Sequence, residues 1–408
     1  KLLFRIQTAW TLWRTILLIT TVTISSVFIA VPLAWLTTRT DLPFRKMWAV
    51  VTVMPLVIPS FVGAFLMVSA LGPKGLLQQI LSEVLAIDRL PEIYGLPGAT
   101  ITLALLSYPY ILLTVRGTLI TLDPAMEESG RILGYGLFRT FWHVTLPQLR
   151  PSITAGGLLV CLYTLSDFGA VSLMRFPTFT WVIYQQYESA LDRSIAAVLS
   201  LLLVGMAVVI LVLENASRGR LRYYQVSSSA SRVPRLFQLG RWKGVALFFC
   251  GAIVFFSLVV PMGVLGFWLI RGLYSGEPLL LLWEATNNSL VVSALAAIAT
   301  IVLAVPMAVM VVRHISLLSR ILETVSFTGY ALPGVVVALS LVFFGASYAL
   351  PLYQTLWMLI FAYVVLFFPV GFGAVRSSLL QISPRLDDAA RGLGEGGISV
   401  MLRVTFPM

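Results

Sequence analysis

Charge is scarce in this chain of 408 residues. Asp, Glu, Lys and Arg make up only 11% of it, against about a quarter in an ordinary soluble domain. A solvated globular surface is therefore excluded as its main face. Only two histidines, His143 and His314, and two cysteines, Cys161 and Cys250, occur. With so few soft ligands, no resident metal cage is expected on this chain, and no disulfide framework. The four lysines precede Leu2, Met47, Gly75 and Gly244. None stands in the Gly-Lys-Ser/Thr pattern that cradles phosphates, so the chain is not expected to be an ATPase, or an enzyme, or to carry a cofactor.

What remains is apolar. Hydrophobic residues make up 59% of the chain and the mean hydropathy is +0.94. Windows of about 20 residues pick out nine candidate spans, near 14–36, 48–70, 98–117, 151–174, 194–213, 244–270, 287–311, 324–348 and 353–376. Long unbroken runs of this kind predict an all-α polytopic membrane protein. A transmembrane barrel would instead show short alternating segments.

One polar segment occurs twice, 260 residues apart. Asp123–Pro147 (DPAMEESGRILGYGLFRTFWHVTLP) aligns without gaps with Ser383–Pro407 (SPRLDDAARGLGEGGISVMLRVTFP). The pairs Pro124/Pro384, Arg131/Arg391, Leu133/Leu393, Gly134/Gly394, Val144/Val404, Thr145/Thr405 and Pro147/Pro407 are identical. Acidic residues fall at the same step, Glu127-Glu128 and Asp387-Asp388. Further matches follow: Pro109/Pro369 and Arg116/Arg376 at that offset, and VPLA 31–34 with VPMA 305–308 and Pro59/Pro333 at an offset of 274. The chain thus reads as two homologous halves. Five spans lie between span 14–36 and its counterpart 287–311, an even number of membrane crossings from one to the other, so the halves are parallel repeats.

The repeat also predicts the organisation: a first half at 1–213, a cytoplasmic linker at 214–243, and a second half at 244–408. Counterparts of span 244–270 and of spans 151–174 and 194–213 are expected before Lys1 and after Met408. The expectation is about six transmembrane helices per half, in a chain lacking the outermost helices at both ends. The net charge is +11. With the repeated segments placed in the cytoplasm, the opposite loops keep few cations (Lys74, Arg89, Arg175, Arg193 and Arg271). That asymmetry follows the positive-inside rule. The basic, Ser-rich linker suits anionic lipid headgroups. Cations spread over short loops do not make a nucleic-acid footprint.

Each repeated segment carries helix signals. An N-cap residue and a proline open a short helix, acids follow where the helix dipole favours them, and Gly134 or Gly394 closes it. A second short helix is expected to run to Pro147 or Pro407. The product is a helix–turn–helix along the membrane surface. It can carry Leu137, Phe138 and Phe141, or Ile398, Met401 and Leu402, into a partner's groove. A structural amphipathic loop is the plainer reading, but two copies in register point to two equivalent docking elements.

The pattern Glu-Ala-Ala, three residues, Gly, then Leu-Pro resembles the cytoplasmic coupling loop of permeases in bacterial ATP-binding-cassette importers. Here the first copy is Glu128-Ser129-Gly130 with Gly134 and Leu146-Pro147; the second is Asp388-Ala389-Ala390 with Gly394 and Phe406-Pro407. Both depart from the consensus at individual side chains. The fused two-half plan, with TDLP at 40–43, LGPKGLL at 71–77 and SDFGAVSL at 166–173, is similar to the ferric-iron permeases of that superfamily. Fused thiamine permeases share the plan. The resemblance implies the type I importer permease fold in the bacterial inner membrane, two copies of a separate ATPase subunit docked on the two loops, and a periplasmic substrate-binding protein. Its coupling residues would be Glu127, Glu128, Gly134, Leu146, Pro147, Asp387, Asp388, Gly394, Phe406 and Pro407.

Asp167 is an acid inside a candidate span, and such carboxylates face polar interiors. With Ser166 and Tyr163 it reads either as part of a substrate pathway, where hard oxygen suits a ferric ion, or as a structural hydrogen-bonding group. Pro55, Pro59 and Pro333 read as kinks. A secondary transporter is the competing class. It would need further intramembrane charges, and it has no use for two docking loops.

Overall fold

The computed structural model describes residues 6–73, 75–78, 82, 92–122, 124–188, 193–219, 236–276, 280–313, 316–329 and 332–381, with 392, 396 and 399. Among them every regular element is helical, and one isolated β-bridge joins Thr40 to Phe237. The chain separates into two compact units, Lys1–Glu277 and Pro278–Met408.

In the first unit, α1 (Ile6–Arg39), α2 (Arg45–Val51) and α3 (Ser60–Leu71) are followed by α4 (Leu96–Thr121), α5 (Pro124–Ile132), α6 (Leu137–Thr140) and α7 (Leu146–Ser166). Then come α8 (Gly169–Leu173), α9 (Phe179–Glu188), α10 (Arg193–Gly219), α11 (Lys243–Val254) and α12 (Val260–Tyr274). α1, α4 and α7 pack together as the core, with Leu33, Leu103, Ile111 and Leu149 fully buried. Lipid tails are as apolar as Leu, so close approach and interhelical hydrogen bonds hold such helices. Thr21 meets Thr100 at 3.0 Å and Ser26 meets Ser107 at 3.3 Å. Gly156 lets α7 reach α4: a Cβ there would stand 2.7 Å from Ile111 Cα. α12 packs on α3, where Trp268 Nε1 donates to Ser69 Oγ at 3.0 Å.

The second unit contains α13 (Leu280–Arg313), α14 (Leu317–Thr328), α15 (Gly334–Tyr348) and α16 (Leu356–Gln381). α13 lies along α16 around buried Ala304, Ala308 and Phe372.

Helix boundaries repeat as the sequence does. α1 and α13 each have 34 residues, each ends in Arg (Arg39 and Arg313), and each contains the matched proline, Pro32 or Pro306. α4 and α16 each have 26 residues and contain Pro109 or Pro369. Pro59 and Pro333 correct the expectation of kinks. Both precede a helix in extended conformation (ψ 142° and 137°), cutting the chain ahead of α3 and α15. Proline disfavours helix in the residue before it, so these two begin helices. Pro55 sits in a short 3₁₀ turn, Met54–Val57.

Among the described residues, seven helices are long and apolar enough to cross a membrane, against nine candidate spans. The span at 151–174 ends at Ser166, and its helix carries Gln148 and Arg150 near its start, ahead of a stretch with Ser152, Thr154, Gly156 and Gly157. The span at 324–348 is cut by Pro333, leaving a 15-residue helix, α15. That is about 22 Å of helix against a hydrocarbon core of about 30 Å. The helices α11 and α12, which repeat order assigns to the second half, pack within the first unit. Repeat order and packing partner are separate properties here.

Candidate functional site

The first repeated segment folds as two short helices joined at Gly134. α5 starts at Pro124 and ends at Ile132. Gly134 takes φ +84°, and the Tyr135 N–H donates to the Gly130 carbonyl at 3.1 Å. A left-handed glycine followed by this long return bond is a Schellman closure. α6 then passes through a π turn, Phe141–Thr145, straight into α7. The second helix therefore does not stop at Pro147. Proline in the first turn of a helix has no hydrogen bond to lose, so Leu146 and Pro147, both half-buried, open α7.

Neighbouring acids on α5 face different surroundings. Glu128 is exposed. Glu127 is 4% exposed; its Oε1 accepts a hydrogen bond from Thr145 Oγ1 at 2.9 Å, and its Oε2 lies 3.8 Å from Arg39 Nη1. Arg39, 1% exposed, donates from Nη2 to the Leu122 carbonyl at 2.9 Å. Met126, Ile132, Leu133 and Trp142 are apolar side chains left exposed, Ile132 86% and Leu133 75%. Phe141 is a correction: it packs inward on Trp35, ring centroids 5.3 Å apart, and is not among the exposed apolar side chains of the segment. The side chains of Leu137 and Phe138 lie outside the described residues, as do Asp387, Asp388, Gly394, Phe406, Pro407, Ile398, Met401 and Leu402.

SDFGAVSL forms a second constellation. α7 stops at Ser166, and Asp167 is extended (ψ 129°). Its buried carboxylate accepts from the Ala170 N–H at 2.9 Å and the Val171 N–H at 3.4 Å, capping α8. Gly169 lets α8 touch α3: a Cβ there would lie 2.8–2.9 Å from Phe61 atoms. Ser166 Oγ turns back to the Tyr163 carbonyl at 3.1 Å, and the Tyr163 ring lies 5.6 Å from that of Tyr110. Asp167, Ser166 and Tyr163 thus gather at one helix end, with the carboxylate bonded to its own backbone.

The sequence reading missed Arg39 and Thr145 as partners of Glu127. The signal available was the repeat itself, because Arg39 and Arg313 end matched helices and Thr145 matches Thr405.

A family model for the binding-protein-dependent transport system inner membrane component matches residues 26–223 and 300–408. The chain belongs to this family. It is a multi-pass permease of the bacterial inner membrane. It is 32% identical, over its whole length and 77% of the relative, to an Fe(3+)-transport system permease protein of Haemophilus influenzae. It is 24% identical over 88% of its length to a ferric transport system permease protein of Actinobacillus pleuropneumoniae, spanning 54% of that protein. A molybdenum transport system permease protein of Escherichia coli is 30% identical over 39% of the chain and 69% of the relative. These relatives are transport permeases, and membership implies the partners of such importers.

Proposed function

We propose that this permease is the membrane pathway of an ATP-binding-cassette importer for ferric iron. A periplasmic binding protein presents the substrate. Two copies of a separate ATPase subunit dock on the segments 123–147 and 383–407 and supply the energy. The observation that carries the reading is the exposure of Met126, Ile132, Leu133 and Trp142 in the same segment as exposed Glu128. Exposed apolar patches rimmed by charge mark protein interfaces. The duplication of the segment fits a symmetric ATPase pair. The names of the two ferric relatives support the substrate. Asp167, Ser166 and Tyr163 then border the pathway, where hard oxygen atoms suit a hard cation.

The test is ATPase activity in liposomes with the neighbouring ATPase and binding protein, using ferric-loaded, apo and thiamine-loaded forms. Stimulation by the ferric form alone, lost in Glu128→Arg, is the expected result. Stimulation by thiamine would keep the mechanism and remove the iron assignment. No complex with any ATPase would remove the importer reading.

A further inference from the structure

Glu127 lies in the docking segment yet is turned away from the docking face. Its bonds run inward. Through Thr145 it holds the start of α7, and through Arg39 it faces the end of α1. Arg39 also grips the Leu122 carbonyl just ahead of α5, so one guanidinium spans both sides of the loop's entry.

The backbone of Arg39 makes a different connection. Its carbonyl accepts the Phe237 N–H at 2.8 Å, and the Phe237 carbonyl accepts the Asp41 N–H at 3.0 Å. Phe237 is buried, its ring 6.0 Å from Trp35. Two residues on, Leu239 N–H donates to Asp41 Oδ1 at 2.8 Å, and Asp41 Oδ2 pairs with Lys243 Nζ at 2.7 Å, where α11 begins. A short strap, Phe237 to Lys243, is thereby fastened to the residue that pairs with the docking helix. Sequence repeats the elements of the pairing: Arg39, Glu127 and Thr145 match Arg313, Asp387 and Thr405.

We propose that Arg39, Glu127 and Thr145 form a transmission joint, and that Glu127 is a positioning residue and not a docking contact. Separating a buried charge pair leaves an uncompensated charge, so a displaced α5 carries the end of α1 with it. The backbone bonds at Arg39 and Asp41 pass that displacement to the strap and to α11. This rests on the importer reading for its function, while the mechanical link itself is testable on the permease alone.

The variants are Glu127→Gln, which keeps an oxygen for Thr145 and removes the charge, Thr145→Val, which removes one hydrogen bond, and Glu128→Gln as the docking control. Amide exchange on the isolated permease is the first arm. Glu127→Gln should accelerate exchange at Phe237, Asp41 and Leu239 while α4 and α7 stay protected. The second arm measures ATPase affinity and substrate moved per ATP in the reconstituted importer. Glu127→Gln should retain wild-type affinity and lose roughly five-fold or more in substrate per ATP, the range of ordinary coupling free energies. Asp387→Asn should behave the same way, Thr145→Val in the same direction, and Glu128→Gln should lose affinity instead. Loss of affinity in Glu127→Gln, or unchanged exchange at Phe237, overturns the joint. If Glu127→Gln exposes α4 and α7 as well, full coupling in Thr145→Val overturns it. Failure of the wild-type permease to bind an ATPase would defeat the importer reading and leave the exchange arm standing.

Discussion

Arg376 Nη2 lies 2.6 Å from Glu323 Oε1, joining α16 to α14. The internal repeat matches these positions to Arg116 and Ala49, and there Arg116 Nη1 donates to the Ala49 carbonyl at 2.7 Å, joining α4 to α2. Each unit thus uses an arginine at the same place to hold the short helix that follows its long one. One copy pairs with a carboxylate, the other with a carbonyl.

The two versions should differ in strength. The Arg376–Glu323 pair is about one-third exposed on both sides, and such pairs contribute roughly 0–1 kcal/mol. Arg116→Ala removes a charge-assisted hydrogen bond, worth about 1.5–3 kcal/mol. Thermal unfolding in detergent should show a larger loss for Arg116→Ala than for Glu323→Ala. The reverse order would mean that the carboxylate pair is the stronger anchor.

Two glycines should respond in opposite directions to alanine. At Gly169 the new methyl would meet Phe61 at 2.8–2.9 Å, and overpacking of this kind costs about 1–3 kcal/mol. At Gly205, inside α10, nothing lies within 4 Å, so alanine should add up to about 1 kcal/mol through helix propensity. Melting curves of the two variants, one shifted down and one up, check this.

Gly134→Ala tests the turn between α5 and α6. No atom lies within 4 Å of a Cβ at this site, so the only penalty is the left-handed backbone, about 1–2 kcal/mol. ATPase titration should show affinity reduced by roughly ten-fold, the equivalent of about 1.4 kcal/mol. Gly134→Asn, which tolerates that conformation better, should lose less.

The strap should be sensitive to acid. Lys243, and after it the Leu239 N–H, hold the Asp41 carboxyl below the usual carboxylate range. A depressed folded pKa means that the stabilisation is complete above the ordinary carboxylate value and fades as pH falls through the lower folded value. Amide exchange at Leu239 should therefore accelerate only at the acid end. Asp41→Asn should exchange fast at neutral pH and lose that acid step.

Sequence by itself determined the membrane class, the duplication and the local form of the repeated segment. Hydrophobic runs reflect the solvent that the chain must meet, and prolines and glycines restrict the backbone wherever they stand. Pro124 opening α5 and Gly134 closing it at φ +84° are local events, legible in one dimension. Tertiary structure alone decided the rest. Glu127 and Glu128 are indistinguishable acids in sequence, and only the arrival of Arg39 and Thr145 from distant positions makes one internal and leaves the other exposed. Phe141 looks like a docking residue until Trp35 is seen beneath it. Asp167 reads as a pathway acid or a structural one, and its bonds to Ala170 and Val171 appear only when α7 breaks and α8 turns back. Burial and pairing depend on which helices become neighbours, and in lipid that choice rests on close packing at residues such as Gly156 and Gly169, which no hydropathy window reads.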